Sequence, residues 1–197
     1  MAYWNASREC MSRDELRHLQ DERLKKVVAD VYHSVPFYRE RMQKQGIEPG
    51  DIHGVDDLHL LPFTTKDDLR DTYPFGLFAK PMSEIVRVHA SSGTTGKATV
   101  VGYTRHDIDV WAECVGRALT NAGFTKNDII QIAYGYGLFT GGLGAHYGAE
   151  NIGATVVPMS TGNTQKLITM MIDFGVTGIA CTPSYLMHIA EEITSQG

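Results

Sequence analysis

Cysteine is scarce in this chain of 197 residues: Cys10, Cys114 and Cys181 are far apart and odd in number. They match neither a disulfide scaffold nor a zinc site, and they suit a reducing cytoplasm. No apolar run approaches the length a membrane helix needs. There is no cluster of basic residues for an anionic lipid surface, and the formal net charge of -5 argues against a general nucleic-acid binder. The start, Met1-Ala2-Tyr3-Trp4-Asn5, lacks the charged-then-apolar pattern of a secretion signal. Internal repeats and low-complexity stretches are missing too. What remains is 43% apolar residues, enough to fill a core.

The most distinctive stretch is Ser91-Ser92-Gly93-Thr94-Thr95-Gly96-Lys97. It puts two glycines, four hydroxyl residues and a lysine into seven positions. The run Ile85-Val86-Arg87-Val88-His89-Ala90 before it and Thr99-Val100-Val101-Gly102-Tyr103 after it read as strands. Glycine lets a backbone come close to a ligand. Successive N–H groups in such a turn form an anion-binding concavity, and lysine adds a point charge. The residues alone leave two readings open: a polyphosphate cradle or a mobile polar hairpin loop.

Upstream the texture is helical. Ser12 and Glu15 form a capping box for a helix that ends before Pro36, and Pro36 opens the next helix. Gly46 closes that second helix, and Thr64 or Thr65 caps a short third one. The link Tyr73-Pro74-Phe75-Gly76-Leu77-Phe78 reads as aromatic cover for the core. Downstream of Ile85, strands alternate with helices. A helix runs from Thr104 to Gly123, followed by a strand at 128–134 and a glycine-rich turn entering a helix through Asn151. Further strands fall at 154–158 and 176–181, and helices at 165–174 and from Thr182 or Ser184 to Ile193. This order predicts an α/β fold: a helical segment at 1–84 packed on a β-α core at 85–197, with a largely parallel sheet flanked by helices. Ligands of such sheets sit at the carboxyl ends of the strands. The turn 135–144 and the segment Thr182-Pro183-Ser184-Tyr185 lie at such ends.

Three nucleotide or catalytic patterns fail. For a P-loop ending in Gly96-Lys97, the first glycine falls on Ser91 and the last hydroxyl on Ala98. The dinucleotide pattern started by Gly135-Tyr136-Gly137 ends on Thr140, with no acidic residue where Met159-Ser160 stand. No G-x-S-x-G elbow occurs.

The loop 91–97 resembles the phosphate-binding stretch of adenylate-forming acyl-CoA synthetases. Its continuation through Thr104, the run Ala133-Tyr134-Gly135-Tyr136-Gly137-Leu138-Phe139-Thr140-Gly141-Gly142-Leu143-Gly144 and the segment Tyr32–Tyr38 resemble the phenylacetate–CoA ligase branch. Two departures are local: Ala98 stands where that branch usually has proline, and no second lysine follows Lys97 in the loop. The resemblance implies an incomplete large N-terminal domain. The adenine-contacting segment, the ribose-binding aspartate and a mobile C-terminal domain with its own lysine are expected beyond Gly197. By itself the chain is then expected to be inactive.

The resemblance further implies ATP, Mg2+ and coenzyme A, with an aryl acid such as phenylacetate as substrate, and a role in phenylacetate catabolism. Ser91, Ser92, Gly93, Thr94, Thr95, Gly96 and Lys97 would hold the phosphates, with Thr94 and Lys97 taking catalytic roles. Tyr136, Phe139, Gly141 and Gly142 would meet the acid. No resident metal site, nucleic acid or membrane contact is expected; a homodimer and a cytoplasmic location are. Two alternatives stand beside this: polyphosphate binding without turnover, or adenylation of another acid or transfer to another acceptor. His33, His89, His106 and His146 read as packed or capping histidines. Cys114 and Cys181 read as core thiols.

Overall fold

Ser12 starts the first long helix as expected. Its hydroxyl accepts from Glu15 N at 3.2 Å, and its own N–H donates to Glu15 Oε2 at 2.8 Å. In the computed structural model, which describes residues 3–91 and 96–195, the chain forms two compact units. One comprises Ala6–Arg105. It holds α1 (Ala6–Glu9), α2 (Arg13–Ser34), α3 (Pro36–Lys44) and α4 (Lys66–Asp71), then β1 (Ile85–Ala90) and β2 (Val100–Thr104). The division thus falls after β2, so both strands flanking the hydroxyl-rich loop belong with the helices.

Pro36 separates α2 from α3, and Val28, Met42 and Ile52 bury between them with Leu24, Tyr32, Ile47 and Leu61 packed around. Asp21 of α2 accepts from Val55 N at 2.8 Å and fixes the turn that follows Ile52. Thr65 is the cap of α4. β1 and β2 pair antiparallel from Ala90↔Val100 to Ile85↔Thr104, with an irregularity between Ile85 and Arg87. The Phe78 ring seals this ribbon at Gly102, where a Cβ would sit 2.4 Å from the ring. Phe78 therefore covers core as expected, whereas Tyr73 and Phe75 are exposed.

The other unit comprises Met1–Asn5 and His106–Gly197. It contains α5 (Arg105–Asn121, whose first residue lies in the helical unit), β3 (Ile129–Ile132), α6 (Gly141–Asn151), β4 (Thr155–Val157), α7 (Thr164–Asp173), β5 (Gly178–Ala180) and α8 (Pro183–Ser195). The three strands are parallel in the order β4-β3-β5. Alternating side chains on β3 point to opposite faces. Ile130 and Ile132 pack with Ala149 and Ile152 of the α6 region. Ala133 packs with Leu167 and Ile168 of α7 and Ile189 of α8. Helices thus cover both faces of a parallel sheet, as the β-α order predicts.

Residues ahead of α1 join this unit through Glu113 of α5. Its carboxylate accepts from Trp4 Nε1 and Asn5 Nδ2, each at 2.8 Å, and from Arg117 at 2.9 Å. Burial pushes the Glu113 carboxyl up, but those donors outweigh it and hold it below the usual range.

Candidate functional site

The base of the hydroxyl-rich loop is a closed rung. Ser91 N donates to Thr99 O at 2.9 Å, and Thr99 N donates back to Ser91 Oγ at 2.9 Å. Ser91 spends its hydroxyl on the hairpin stem. Gly96 has φ +132, a conformation that L side chains rarely adopt, and nothing lies within 4 Å of where its Cβ would be. Lys97 is exposed, its Nζ 5.9 Å from the centre of the Tyr73 ring. That contact suits a weak cation–π attraction and leaves the ammonium hydrated. Ser92, Gly93, Thr94 and Thr95 lie outside the described residues.

In the sheet unit, three segments leave the carboxyl ends of the strands. After β3, Tyr134 donates its hydroxyl to Cys181 O, beyond β5, at 2.8 Å. After β4, Ser160 takes φ 62 and donates its N–H to Ile132 O at 3.0 Å. After β5, Tyr185 Oη lies 3.2 Å from Thr164 Oγ1 at the start of α7. This rim of hydroxyls and backbone is where open parallel sheets receive ligands.

The glycine turn supplies the remaining expected residues. Tyr136 is half-buried against the core and its hydroxyl lies 3.2 Å from His146 Nδ1. Burial, with Glu150 adding to it, pushes the Tyr136 phenol up to about 12. Phe139 is 71% exposed and Leu138 66%, so Phe139 is no core aromatic. A Cβ at Gly141 would lie 3.8 Å from Tyr134 and 3.9 Å from Phe139, an ordinary contact. A Cβ at Gly142 would meet Gly135 O at 2.7 Å, so the direction a side chain would take there is filled by the turn's own carbonyl. Cys114 corrects an expectation. It is exposed, as is Val110 one turn earlier on α5, because a run of apolar neighbours in sequence does not share one helix face. Cys181 is partly buried, which pushes its thiol up.

No family model matches the chain. Among curated proteins it is 54% identical over 189 residues to the phenylacetate–coenzyme A ligase of Thermus thermophilus, covering 96% of this chain and 42% of that one. The Escherichia coli K12 phenylacetate–coenzyme A ligase is 54% identical over 188 residues, covering 95% and 43%. The chain matches an N-terminal part of these ligases.

Solved structures of 2-hydroxyisobutyryl-CoA ligase share the fold. The complex with 2-HIB-AMP and CoA in the thioesterification state superposes with TM-score 0.88 at 31% identity, covering 96% of this chain and 42% of that chain. An open conformation gives TM-score 0.89 at 29% identity, covering 98% and 46%. The parallel sheet with its flanking helices is therefore the fold of the N-terminal portion of a CoA ligase. The chain spans less than half the length of the phenylacetate–CoA ligases it matches.

Sequence reasoning missed His146 and Glu150 as partners of Tyr136, and the left-handed Ser160. The turn cluster Ser160-Thr161-Gly162-Asn163 carried a signal for the second. Only the fold brings the first two to Tyr136.

Proposed function

We propose that this chain carries the polyphosphate- and acid-binding part of an ATP-dependent acid–thiol ligase that activates phenylacetate, or a similar aryl acid, as acyl-AMP and passes the acyl group to coenzyme A. The observation that carries this reading is 54% identity to phenylacetate–CoA ligases across nearly the whole chain. The closed rung under the loop and the exposed Lys97 support it, because an ammonium at the mouth of a glycine-containing turn suits a polyphosphate.

In that reaction the carboxylate attacks the α-phosphorus of ATP, the α–β bridging bond breaks, and pyrophosphate leaves. Lys97, Thr94 and the N–H groups of 92–97 act on the departing β- and γ-phosphates, where charge grows. The CoA thiol then attacks the adenylate carbonyl and AMP leaves. Tyr136, Phe139 and Gly141 offer the acid flat or open apolar surface, whereas Gly142 serves the turn. Among the described residues no group of three or more His, Cys, Asp or Glu could hold a metal ion. Mg2+ is usually bound through substrate phosphates with few protein ligands, so it enters this reading as the companion ion of ATP, with no step assigned to it. A homodimer and a cytoplasmic setting complete the proposal. No helix of the described residues is long and apolar enough to cross a membrane.

Isothermal calorimetry of the chain with ATP and with pyrophosphate tests the loop. Lys97→Ala is expected to weaken binding by about 10-fold, as loss of one charge-assisted contact does. Equal heats in both proteins would rule out a loop site. Pyrophosphate release from ATP and phenylacetate by the full-length protein tests turnover. Binding without release would favour the second reading, a non-catalytic polyphosphate-binding role. Release with other acids alone would shift the substrate and keep the chemistry.

A further inference from the structure

Tyr136, His146 and Glu150 form a chain of three polar side chains. Tyr136 Oη lies 3.2 Å from His146 Nδ1, and His146 Nε2 lies 3.0 Å from Glu150 Oε1. His146 and Glu150 are one turn apart on α6, and Tyr136 reaches them from the glycine turn ahead of that helix. The imidazole stands edge-on to the Tyr136 ring, with centroids 5.8 Å apart and planes at 86°. Its other neighbour is Tyr147, at 5.3 Å. The ring is therefore gripped by two hydrogen bonds and two aromatic contacts.

Chemistry sets the direction of those bonds. An ionised carboxylate only accepts, so Nε2 must carry the hydrogen it shares with Glu150. A neutral imidazole then has a bare Nδ1, and Tyr136 must donate its O–H to it. A phenol keeps its hydrogen at neutral pH in any case, and burial of Tyr136 pushes in the same direction.

We propose that His146 is a positioning residue for Tyr136, with its tautomer set by Glu150, and that Tyr136 in consequence offers a bound acid its ring face and not a hydroxyl donor. The inference rests on the reading of Tyr136 as facing the acid. It extends that reading to the substrate class: the arrangement disfavours acids whose far end needs a hydrogen-bond donor from Tyr136, because its one donor is already engaged. It also gives His146 a task, where the sequence alone suggested only packing or capping.

The test is NMR of the chain labelled with 15N in histidine, near pH ~8 where an ordinary imidazole is neutral. His146 is identified as the signal missing in His146→Gln. The expected wild-type pattern is a protonated Nε2 and a bare Nδ1. Glu150→Ala is expected to mix the two tautomers. Tyr136→Phe, which removes only the hydroxyl, should keep the proton on Nε2 and shift only Nδ1. A proton on Nδ1 in the wild type, or an unchanged tautomer in Glu150→Ala, would overturn the proposal.

Tyrosine-ring labelling completes it. His146→Gln, whose side-chain carbonyl still accepts, should keep the wild-type Tyr136 ring signals, and His146→Ala should lose them. Loss in both, or in neither, counts against a positioning role. Phenylacetate should then move the Tyr136 signals. If the tautomers are as expected and phenylacetate leaves Tyr136 unmoved, the acid-facing reading fails and takes the substrate selection with it, while the hydrogen-bonded chain itself stands.

Discussion

Gly148 on α6 lies so close to Val115 on α5 that a Cβ at 148 would fall 2.3 Å from Val115 Cγ1. One turn earlier the same edge of α6 repeats the contact, with a Cβ at Gly144 falling 2.8 Å from the Trp111 indole. Two glycines spaced by four residues let the helices touch along their backbones, where larger residues would hold them apart.

Gly148→Ala should therefore destabilise the sheet unit. Overpacking of a tight contact typically costs ~1–3 kcal/mol, and the clash here includes the branched carbon of Val115, at 2.5 Å, and its backbone, at 3.2 Å. Urea denaturation measures the loss. Gly50→Ala is the control, because nothing lies within 4 Å of its Cβ position. Equal midpoints for the two variants would refute the close-contact account.

Asp68 should make the helical unit sensitive to acid. Its carboxylate accepts from Thr65 N at 2.7 Å and Thr65 Oγ1 at 2.9 Å, and takes a two-pronged contact from Arg41 that includes a 3.2 Å bond from Nη1. The Thr65 N–H is the main cause that holds this carboxyl below its ordinary value, with burial opposing it. A depressed folded value means that the stabilisation is complete above the unfolded value, roughly 3.9, and lost as pH falls through the folded one. Wild type should thus exceed Asp68→Asn in thermal stability at pH ~7, and the gap should close below pH ~4. A gap that stays constant well below pH ~4 would contradict the assignment.

Gln131 offers a gain. It is fully buried in the middle of β3, donates from Nε2 to Leu167 O at 3.2 Å, and leaves its own Oε1 buried without a partner among the described residues. Gln131→Met removes the unpaired oxygen at similar volume and should raise stability by ~1 kcal/mol, since an unsatisfied buried acceptor costs about that much or more. A lower urea midpoint would mean that the oxygen has a partner.

Gly96 separates grip from fold. With φ +132 and open space around it, a side chain there meets backbone strain and no clash. An exposed loop relieves such strain by turning, so Gly96→Val should shift stability by less than ~1 kcal/mol while pyrophosphate affinity falls about 10-fold. Calorimetry beside a thermal melt reads both. Unchanged affinity would detach Gly96 from the cradle.

Much of this fold could be read before any coordinates, because its boundaries are set by short-range chemistry. Ser12 caps as its capping box foretells, Thr65 is the cap of the two threonines the sequence offered, Pro36 parts α2 from α3, and Gly123 and Gly175 take the positive φ that follows a helix. Asn163 went unnoticed as the cap of α7, since its apolar pattern starts later than its hydrogen bonds. The roles of Gly142, Gly144 and Gly148 were hidden for a different reason: their neighbours, Gly135, Trp111 and Val115, come from other segments. The same holds for the candidate site. The residue types of Ser91–Lys97 and Tyr136–Phe139 are visible in sequence, but the pairing of Tyr136 with His146 needs a helix to carry one to the other.

The rung between Ser91 and Thr99 has a consequence for how this protein can change. Each residue gives one hydrogen bond and takes one, so the ribbon is tied off before the glycine-threonine segment begins. On the proposed phosphate role, the knot lets the hydroxyls and lysine of that segment be traded with β1 and β2 left in register. Selection on the ligand and selection on the scaffold then act on separate stretches of the same hairpin, and a melting curve carries no news of the loop.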